Sequence, residues 1–209
     1  MYGGCDSNTD AFPCGANFYI GQLGSGTKIG EAPCGGGVAF NTSATSTINA
    51  EVGGNTYGYW SVLGPKGDPS YNGTEAEAYS WGEKQGTAAW NAYNDNANVV
   101  NITLFGDLED YVPPSGCPSG IADWGWMSGN QILNQQVWEG FYNELKSLGM
   151  NPGVYSYPNF WATYMGSGWI WRRIRDAMAI SRKRGLRCGP IDAYLIRGLT
   201  PVFNIVGDY

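Results

Sequence analysis

Between Thr56 and Tyr164 the chain alternates short β-branched and aromatic runs with longer amphipathic stretches, and this alternation restricts the fold more than any other feature. Thr56-Tyr-Gly-Tyr-Trp-Ser-Val-Leu-Gly64 reads as a strand. A helix from about Thr74 to Tyr93 follows, with Glu75 and Glu77 near its positive end and Ala78, Trp81, Ala89 and Trp90 among its apolar positions. Asn98 to Asp110 reads as the next strand and Asn130 to Leu148 as the next helix, whose face runs through Leu133, Val137, Phe141, Leu145 and Leu148 and which Gly149 stops. Pro152-Gly-Val-Tyr-Ser-Tyr-Pro158 is a further strand, and Asn159-Phe-Trp-Ala-Thr-Tyr starts a turn of helix. Asn17-Phe-Tyr-Ile-Gly21 is an earlier strand, and Ala44 to Val52 suits a short helix capped by Ser43. Strands that alternate with helices lie parallel and are joined by crossover helices, which makes the class α/β.

The strand from Asn98 to Asp110 carries the chemistry. It opens on Val99, Val100, Ile102, Leu104 and Phe105 and ends in Asp107, Glu109 and Asp110. In an extended chain Asp107 and Glu109 share one side, while Leu108 and Asp110 take the other. Two neighbouring carboxyls repel, which lets one stay protonated while the other is ionised, the division of labour that glycoside hydrolysis needs. Strand ends also carry acids for solubility and as helix caps, so the context of this pair decides its meaning.

The chain contains no histidine. That excludes Ser-His-Asp and Cys-His hydrolases, His-ligated zinc and a histidine base, so acid–base work falls to carboxylates, tyrosines or lysines. No metal site and no cofactor is expected. A net charge of -6 offers no general attraction for nucleic acid or an anionic membrane, and no run of 18 apolar residues is present to span one. Nine Trp and 14 Tyr in a glycine-rich, charge-poor chain suit a protein that handles sugars, although most of these rings belong to a core. The opening Met-Tyr-Gly-Gly-Cys-Asp lacks the basic and apolar parts of a signal peptide, so an export signal is either absent or missing.

Cysteines stand at 5, 14, 34, 117 and 188 without a Cys-x-x-Cys spacing. The first four could form two disulfides in any of three connectivities, with Cys188 left over, which points to an oxidising, extracellular or cell-surface location. Gly21-Gln-Leu-Gly-Ser-Gly26-Thr-Lys28 is close to a phosphate loop, but Thr27 and Lys28 are in the wrong order and no helix opens after them. A glycine-rich loop over a cleft is the better reading. Lys66, Asp68 and Tyr71 should sit beside the end of the strand that starts at Thr56, and the long Tyr111–Trp126 stretch should be a binding loop or lid.

Charge divides the chain. Residues 1–171 hold 4 Lys or Arg against 15 Asp or Glu, whereas residues 172–209 hold 8 against 3. The first part reads as the folded domain and the second as an atypical basic tail, with Arg172, Arg173, Arg175, Arg182, Lys183, Arg184 and Arg187 close together. Such a tail suits either an anionic-ligand patch or a native end replaced through a shifted reading frame. The aromatic interleaving of a nucleic-acid face is missing.

Phe105-Gly-Asp-Leu-Glu-Asp-Tyr111, the loop with Trp124, the helix Asn134-Gln-Gln-Val-Trp-Glu-Gly-Phe-Tyr-Asn-Glu-Leu145 and Gly149-Met-Asn-Pro-Gly-Val-Tyr-Ser-Tyr-Pro-Asn-Phe-Trp161 together resemble bacterial glycoside-hydrolase-like barrels. These are related to the family 25 lysozymes, or muramidases, and to a mycobacterial-type domain of unknown function. Ala76-Glu-Ala-Tyr-Ser-Trp-Gly-Glu83 matches the helix before the acidic strand, and the likeness spans roughly residues 17 to 165. It implies a (β/α)8 TIM-barrel-like fold with its chemistry at the carboxyl ends of the strands. On that pattern Glu109 is the general acid and Asp107 stabilises the oxocarbenium-like transition state or orients an N-acetyl group. Tyr155 contacts substrate or the carboxylates, Trp124 and Trp126 offer stacking faces, and Asp68 lies among the binding residues. The implied partner is peptidoglycan or another polysaccharide, met by a monomer.

Two parts of such a barrel are not readable in the residues. Positions 1–16, including Asp6 and Asp10, read as loop where the family has an acid-bearing first strand, and after Trp169 no final strands are evident around Asp192. The expected barrel is therefore incomplete at both ends. A non-catalytic carbohydrate-binding barrel and an incomplete fragment with exposed strand edges stand as the alternatives.

Overall fold

Parallel strands and crossover helices follow each other much as the alternation requires. A computed structural model describes residues 3–7, 18–33, 50, 52–96, 99–110, 122–166, 169, 178–182, 188–195 and 200–205. β1 (Gly3–Ser7), β2 (Phe18–Ser25), β3 (Lys28–Ile29), β4 (Thr56–Ser61), β5 (Thr103–Leu108), β6 (Asn151–Ser156), β7 (Met178–Arg182), β8 (Cys188–Leu195) and β9 (Thr200–Ile205) belong to one sheet in the order β1-β8-β9-β7-β6-β5-β4-β2-β3. The run β2-β4-β5-β6-β7 is parallel throughout, and β1 also pairs in parallel with β2. α1 (Glu75–Asn94) joins β4 to β5, and α2 (Gln131–Ser147) lies between β5 and β6. After β6 a short α3 (Pro158–Phe160) runs into one π turn, Trp161–Met165. The architecture is a mixed α/β fold. The proposed helix at Ala44 to Val52 lies almost wholly outside the described residues.

Local chemistry sets the helix limits. The Thr74 hydroxyl accepts from Glu77 N at 3.3 Å and caps α1, with Glu75 and Glu77 in the favourable first turn. The Asn130 amide oxygen accepts from Leu133 N at 3.3 Å and caps α2. At the other end of α2, Met150 N donates to Leu145 O at 2.9 Å and Gly149 N to Lys146 O at 3.1 Å, with Gly149 at φ 84°. This is the paired bonding of a Schellman stop, which satisfies carbonyls that the helix itself leaves free.

β5 starts later than its apolar residues imply. Asn101 Oδ1 takes the Thr103 N–H at 3.0 Å, which turns the chain before pairing begins and leaves Val100 and Ile102 exposed. β1 lies in the stretch read as loop. Gly-Gly-Cys-Asp-Ser has no β-branched or aromatic residue to announce a strand, so its conformation rests on pairing with β2 and β8. β7, β8 and β9 likewise stand beyond Trp169, where the sequence shows no strands. The glycine-rich segment is a tight hairpin instead of a loop over a cleft. Ser25 pairs with Lys28 across Gly26 and Thr27, and Gly26 at φ 56° takes the left-handed first turn position.

Side chains sort onto the two faces of the sheet with period two. Tyr19, Leu23, Trp60, Leu104, Leu108 and Val154 join the core that α1 and α2 cover through Ala78, Trp81, Val137, Trp138, Phe141 and Leu145. Phe18, Ile20, Phe105 and Tyr155 form a second cluster on the other face, with Tyr57 and Tyr59 against it. A residue on β5 therefore faces either helix layer or inner cluster, and Asp107 shares its face with Phe105 by alternation.

Candidate active site

The inner face changes character along the strands. Phe18, Tyr57 and Phe105 make an aromatic base, with Tyr57 packed edge-on to Phe18 at 6.1 Å between ring centres and tilted to Phe105 at 6.0 Å. Burial pushes the Tyr57 phenol above its ordinary value, so it stays protonated well past neutrality. Towards the carboxyl ends polar groups take over. Ser61, Asp107 and Tyr155 stand side by side in register across β4, β5 and β6, and all three are buried.

These groups are linked. Gln22 Nε2 donates to Ser61 Oγ at 2.9 Å, and Ser61 Oγ donates to Asp107 Oδ2 at 3.5 Å. An amide thus donates to a hydroxyl and the hydroxyl to a carboxyl oxygen, an arrangement in which each bond polarises the next. Just past Gln22, β2 slips against β4 between Gln22 and Gly24. Bulges of this kind re-aim side chains near functional sites. Gly24 makes the slip possible, since a Cβ there would lie 2.6 Å from the Trp60 ring.

Of the residues expected at the site, Asp107 and Tyr155 come together, and Glu109 stands half-buried just past the end of β5. Leu108 is buried in the helix-side core, as the alternation requires. Trp124 belongs to a short 3-10 turn, Ala122–Gly125, and has φ 51°. Its carbonyl accepts from Gly64 N at 2.8 Å, which puts this turn against the loop that leaves β4. Trp126 lies in the core, 3% exposed, edge-on to Phe160 at 5.3 Å. In that position its ring anchors the loop and presents no open face. Residues 111–121 of the expected lid lie outside the described residues.

Asp68 is engaged within its own loop. Its Oδ1 accepts from Ser70 N at 2.8 Å and Ser70 Oγ at 2.7 Å, and its Oδ2 meets Lys84 Nζ at 3.4 Å. Burial pushes this carboxyl up, but the Ser70 bonds and the Lys84 charge outweigh it and hold the group below the usual carboxylate range. A lowered folded value contributes stability above the unfolded value of about 3.9 and loses it as pH falls. Asp68→Asn should therefore melt below wild type at pH 6, with the gap closing as pH drops below about 4. Thermal midpoints of both proteins across pH 2–7 measure this, and a gap that persists at pH 2 would show that the charge is not what matters.

Gln22 and Ser61 are the functional candidates that the sequence did not single out. Their signal was the alternation itself, with Gln22 two residues after Ile20 and Ser61 two after Tyr59. Asp6 also changes standing, since β1 sets it in register with Ile20 of the inner cluster. Among the described residues no group of three or more His, Cys, Asp or Glu gathers to hold a metal ion, and no helix is long and apolar enough to cross a membrane.

No family model and no curated protein matches the sequence. Solved structures do. A family 25 lysozyme from Aspergillus fumigatus is similar with a TM-score of 0.56 and 15% identity, over 96% of this chain and 82% of that one. A bacterial lysozyme from Streptomyces coelicolor is similar with a TM-score of 0.51 and 14% identity, over 88% and 75%. The modular autolysin LytC of Streptococcus pneumoniae, solved with a synthetic peptidoglycan ligand, is similar with a TM-score of 0.50 and 12% identity, over 87% of this chain and 37% of that one. At such identities the likeness is one of fold, and the fold is similar to that of the family 25 lysozymes, a glycoside-hydrolase fold.

Proposed function

We propose that this protein is a lysozyme-like glycoside hydrolase that cleaves peptidoglycan or a related extracellular polysaccharide with a pair of carboxylates. The observation that carries the reading is the seat of Asp107. It is buried on the inner face, tied to Ser61 and in register with Tyr155, with Glu109 two residues further along the chain. Glu109, half-buried past the strand end, is the general acid that protonates the glycosidic oxygen. Asp107 stabilises the positive charge that develops on the sugar ring or orients an N-acetyl group. Gln22 and Ser61 hold Asp107 by their hydrogen bonds and act as positioning residues.

Tyr155 contacts substrate or the carboxylates, and Trp124 contributes an aromatic rim where the loops after β4 and β5 meet. Asp68 and Trp126 act one step back, by shaping those loops. Asp6 stands on β1 in register with Ile20, at the strand where a family 25-like site would contain an acid. We read the sheet as a barrel, and the support for this is β1, which pairs with β2 on one side and β8 on the other. The ligand solved with the LytC autolysin supports peptidoglycan as the first substrate to try. Such a substrate puts the protein at the cell surface or outside the cell.

The test is to incubate the full chain with purified peptidoglycan and measure new reducing ends. Release is expected. Folded protein that sediments with peptidoglycan and releases nothing would replace the hydrolase with a binding barrel.

A further inference from the structure

Two side-chain amides, one from each crossover helix, close in the same way on the loops that leave β4 and β5. Gln85 of α1 accepts from Leu63 N at 2.7 Å through Oε1 and donates to Leu63 O at 2.9 Å through Nε2. Asn134 of α2 accepts from Met127 N at 3.1 Å and donates to Met127 O at 2.9 Å, and its Nδ2 also donates to Tyr164 O at 2.8 Å. Both side chains are fully buried, at 0% exposure. Each answers the N–H and the C=O of a single residue that lies outside the strands, as a neighbouring strand would have done.

Trp124 sits between the two clamps. Gly64, next to Leu63, donates its N–H to Trp124 O at 2.8 Å. The carbonyls of Leu63 and Gly64 accept from Trp81 Nε1 of α1 at 3.0 and 3.1 Å. A Cβ on Gly64 would lie 2.5 Å from the Gly125 carbonyl, so the two loops meet backbone to backbone. On the other side of Trp124 the chain runs directly into Met127 and the Asn134 amide. The φ of 51° at Trp124 is one that a bulky residue rarely takes. Such a conformation persists only where its surroundings over-determine it. We infer that Gln85 and Asn134 are positioning residues that fix the Trp124 rim and, through it, the affinity for the polysaccharide chain. This rests on the reading of Trp124 as part of the substrate rim.

In the full chain, Gln85→Met keeps the volume and loses both bonds to Leu63. Gln85→Glu at about pH 5, where burial keeps the carboxyl protonated, still offers one donor and one acceptor. Both are compared with wild type, at a temperature where circular dichroism shows folded protein, by sedimentation with purified peptidoglycan and by release of reducing ends. Gln85→Met should weaken sedimentation and raise KM by about 3- to 10-fold, the loss of one displaced aromatic contact, while kcat changes less. Gln85→Glu should match wild type at about pH 5 and fall behind it towards about pH 9, as the carboxyl ionises and can no longer donate to Leu63 O. This second variant carries the test if Gln85→Met does not fold. In a Trp124→Ala background neither Gln85 variant should weaken binding further. Affinity equal to wild type in both Gln85 variants throughout, or losses additive with Trp124→Ala, would overturn the inference. Wild type that sediments but releases nothing would remove hydrolysis alone, and sedimentation would still decide the positioning role. Wild type that neither sediments nor cleaves would end both.

Discussion

Replacing Glu109 by Gln is expected to slow release of reducing ends from peptidoglycan by about 100- to 10,000-fold, the usual contribution of a positioned general acid. That range corresponds to about 3 to 5 kcal/mol of lost transition-state stabilisation. Glu109 stands half-buried beyond the last residue of β5, so an amide of the same shape disturbs no core packing. The thermal midpoint and the sedimentation of protein with peptidoglycan should match wild type. Asp107→Asn should also lower kcat, for a different reason. The Asn carbonyl can still accept from Ser61 Oγ, which donates to Asp107 at 3.5 Å, but the charge that opposes the oxocarbenium-like centre is gone. Both variants should lower kcat with little change in KM, because each removes an interaction that grows only in the transition state. A Glu109→Gln protein that cleaves at the wild-type rate would remove Glu109 from the mechanism, and one that fails to bind would make it a binding residue.

The parts of this molecule that could be read from its sequence are those where local chemistry and tertiary packing ask for the same residue. Gly149 shows this, since the left-handed stop is required by the helix and also starts the turn into β6. The opposition of Asp107 and Leu108 shows it too, because the pleat alone assigns them to two faces. What could not be read depends on partners far away in sequence. Ser61 looks like a strand residue bound for solvent until Gln22, 39 positions earlier, and Asp107, 46 positions later, close around it. β1 has no strand-forming side chains and exists through its neighbours. The family resemblance implies an open stacking face for Trp126, yet Phe160 and the core cover it. The Asn101 bond that delays β5 competes with the ladder at a position where every neighbouring side chain favours a strand.

The second large effect concerns the contact of α1 with α2, where Gly140→Leu is expected to destabilise the protein by more than about 3 kcal/mol. The two helices meet through glycine. A Cβ at Gly82 would run into the Val137 carbonyl, and one at Gly140 would run into the Tyr79 carbonyl, with Glu83 N at 3.0 Å. Both obstacles are backbone, which cannot rotate aside, so any side chain must push the helices apart. That separation would open the core around Trp138 and Phe141, whose rings lie directly over Gly106 of β5, at 2.6 and 3.0 Å from where its Cβ would be. Alanine tests the sign. Helix propensity favours Ala over Gly by about 1 kcal/mol, whereas overpacking a close contact costs about 1 to 3 kcal/mol. Gly140→Ala and Gly82→Ala should therefore lower the midpoint of urea unfolding despite the better helix former. Gly86 provides the comparison, because a Cβ there would lie 2.9 Å from Glu144 Cβ, 3.0 Å from its Cγ and 3.1 Å from the Phe141 carbonyl oxygen. That overlap is smaller than the carbonyl clashes at Gly82 and Gly140, so Gly86→Ala should be the mildest of the three. Gly82 and Gly140 share one crossing, and once a first methyl has parted the helices a second finds room. The double alanine variant should accordingly lose less than the sum of the single losses, and strictly additive losses would show that the two glycines do not belong to a common contact.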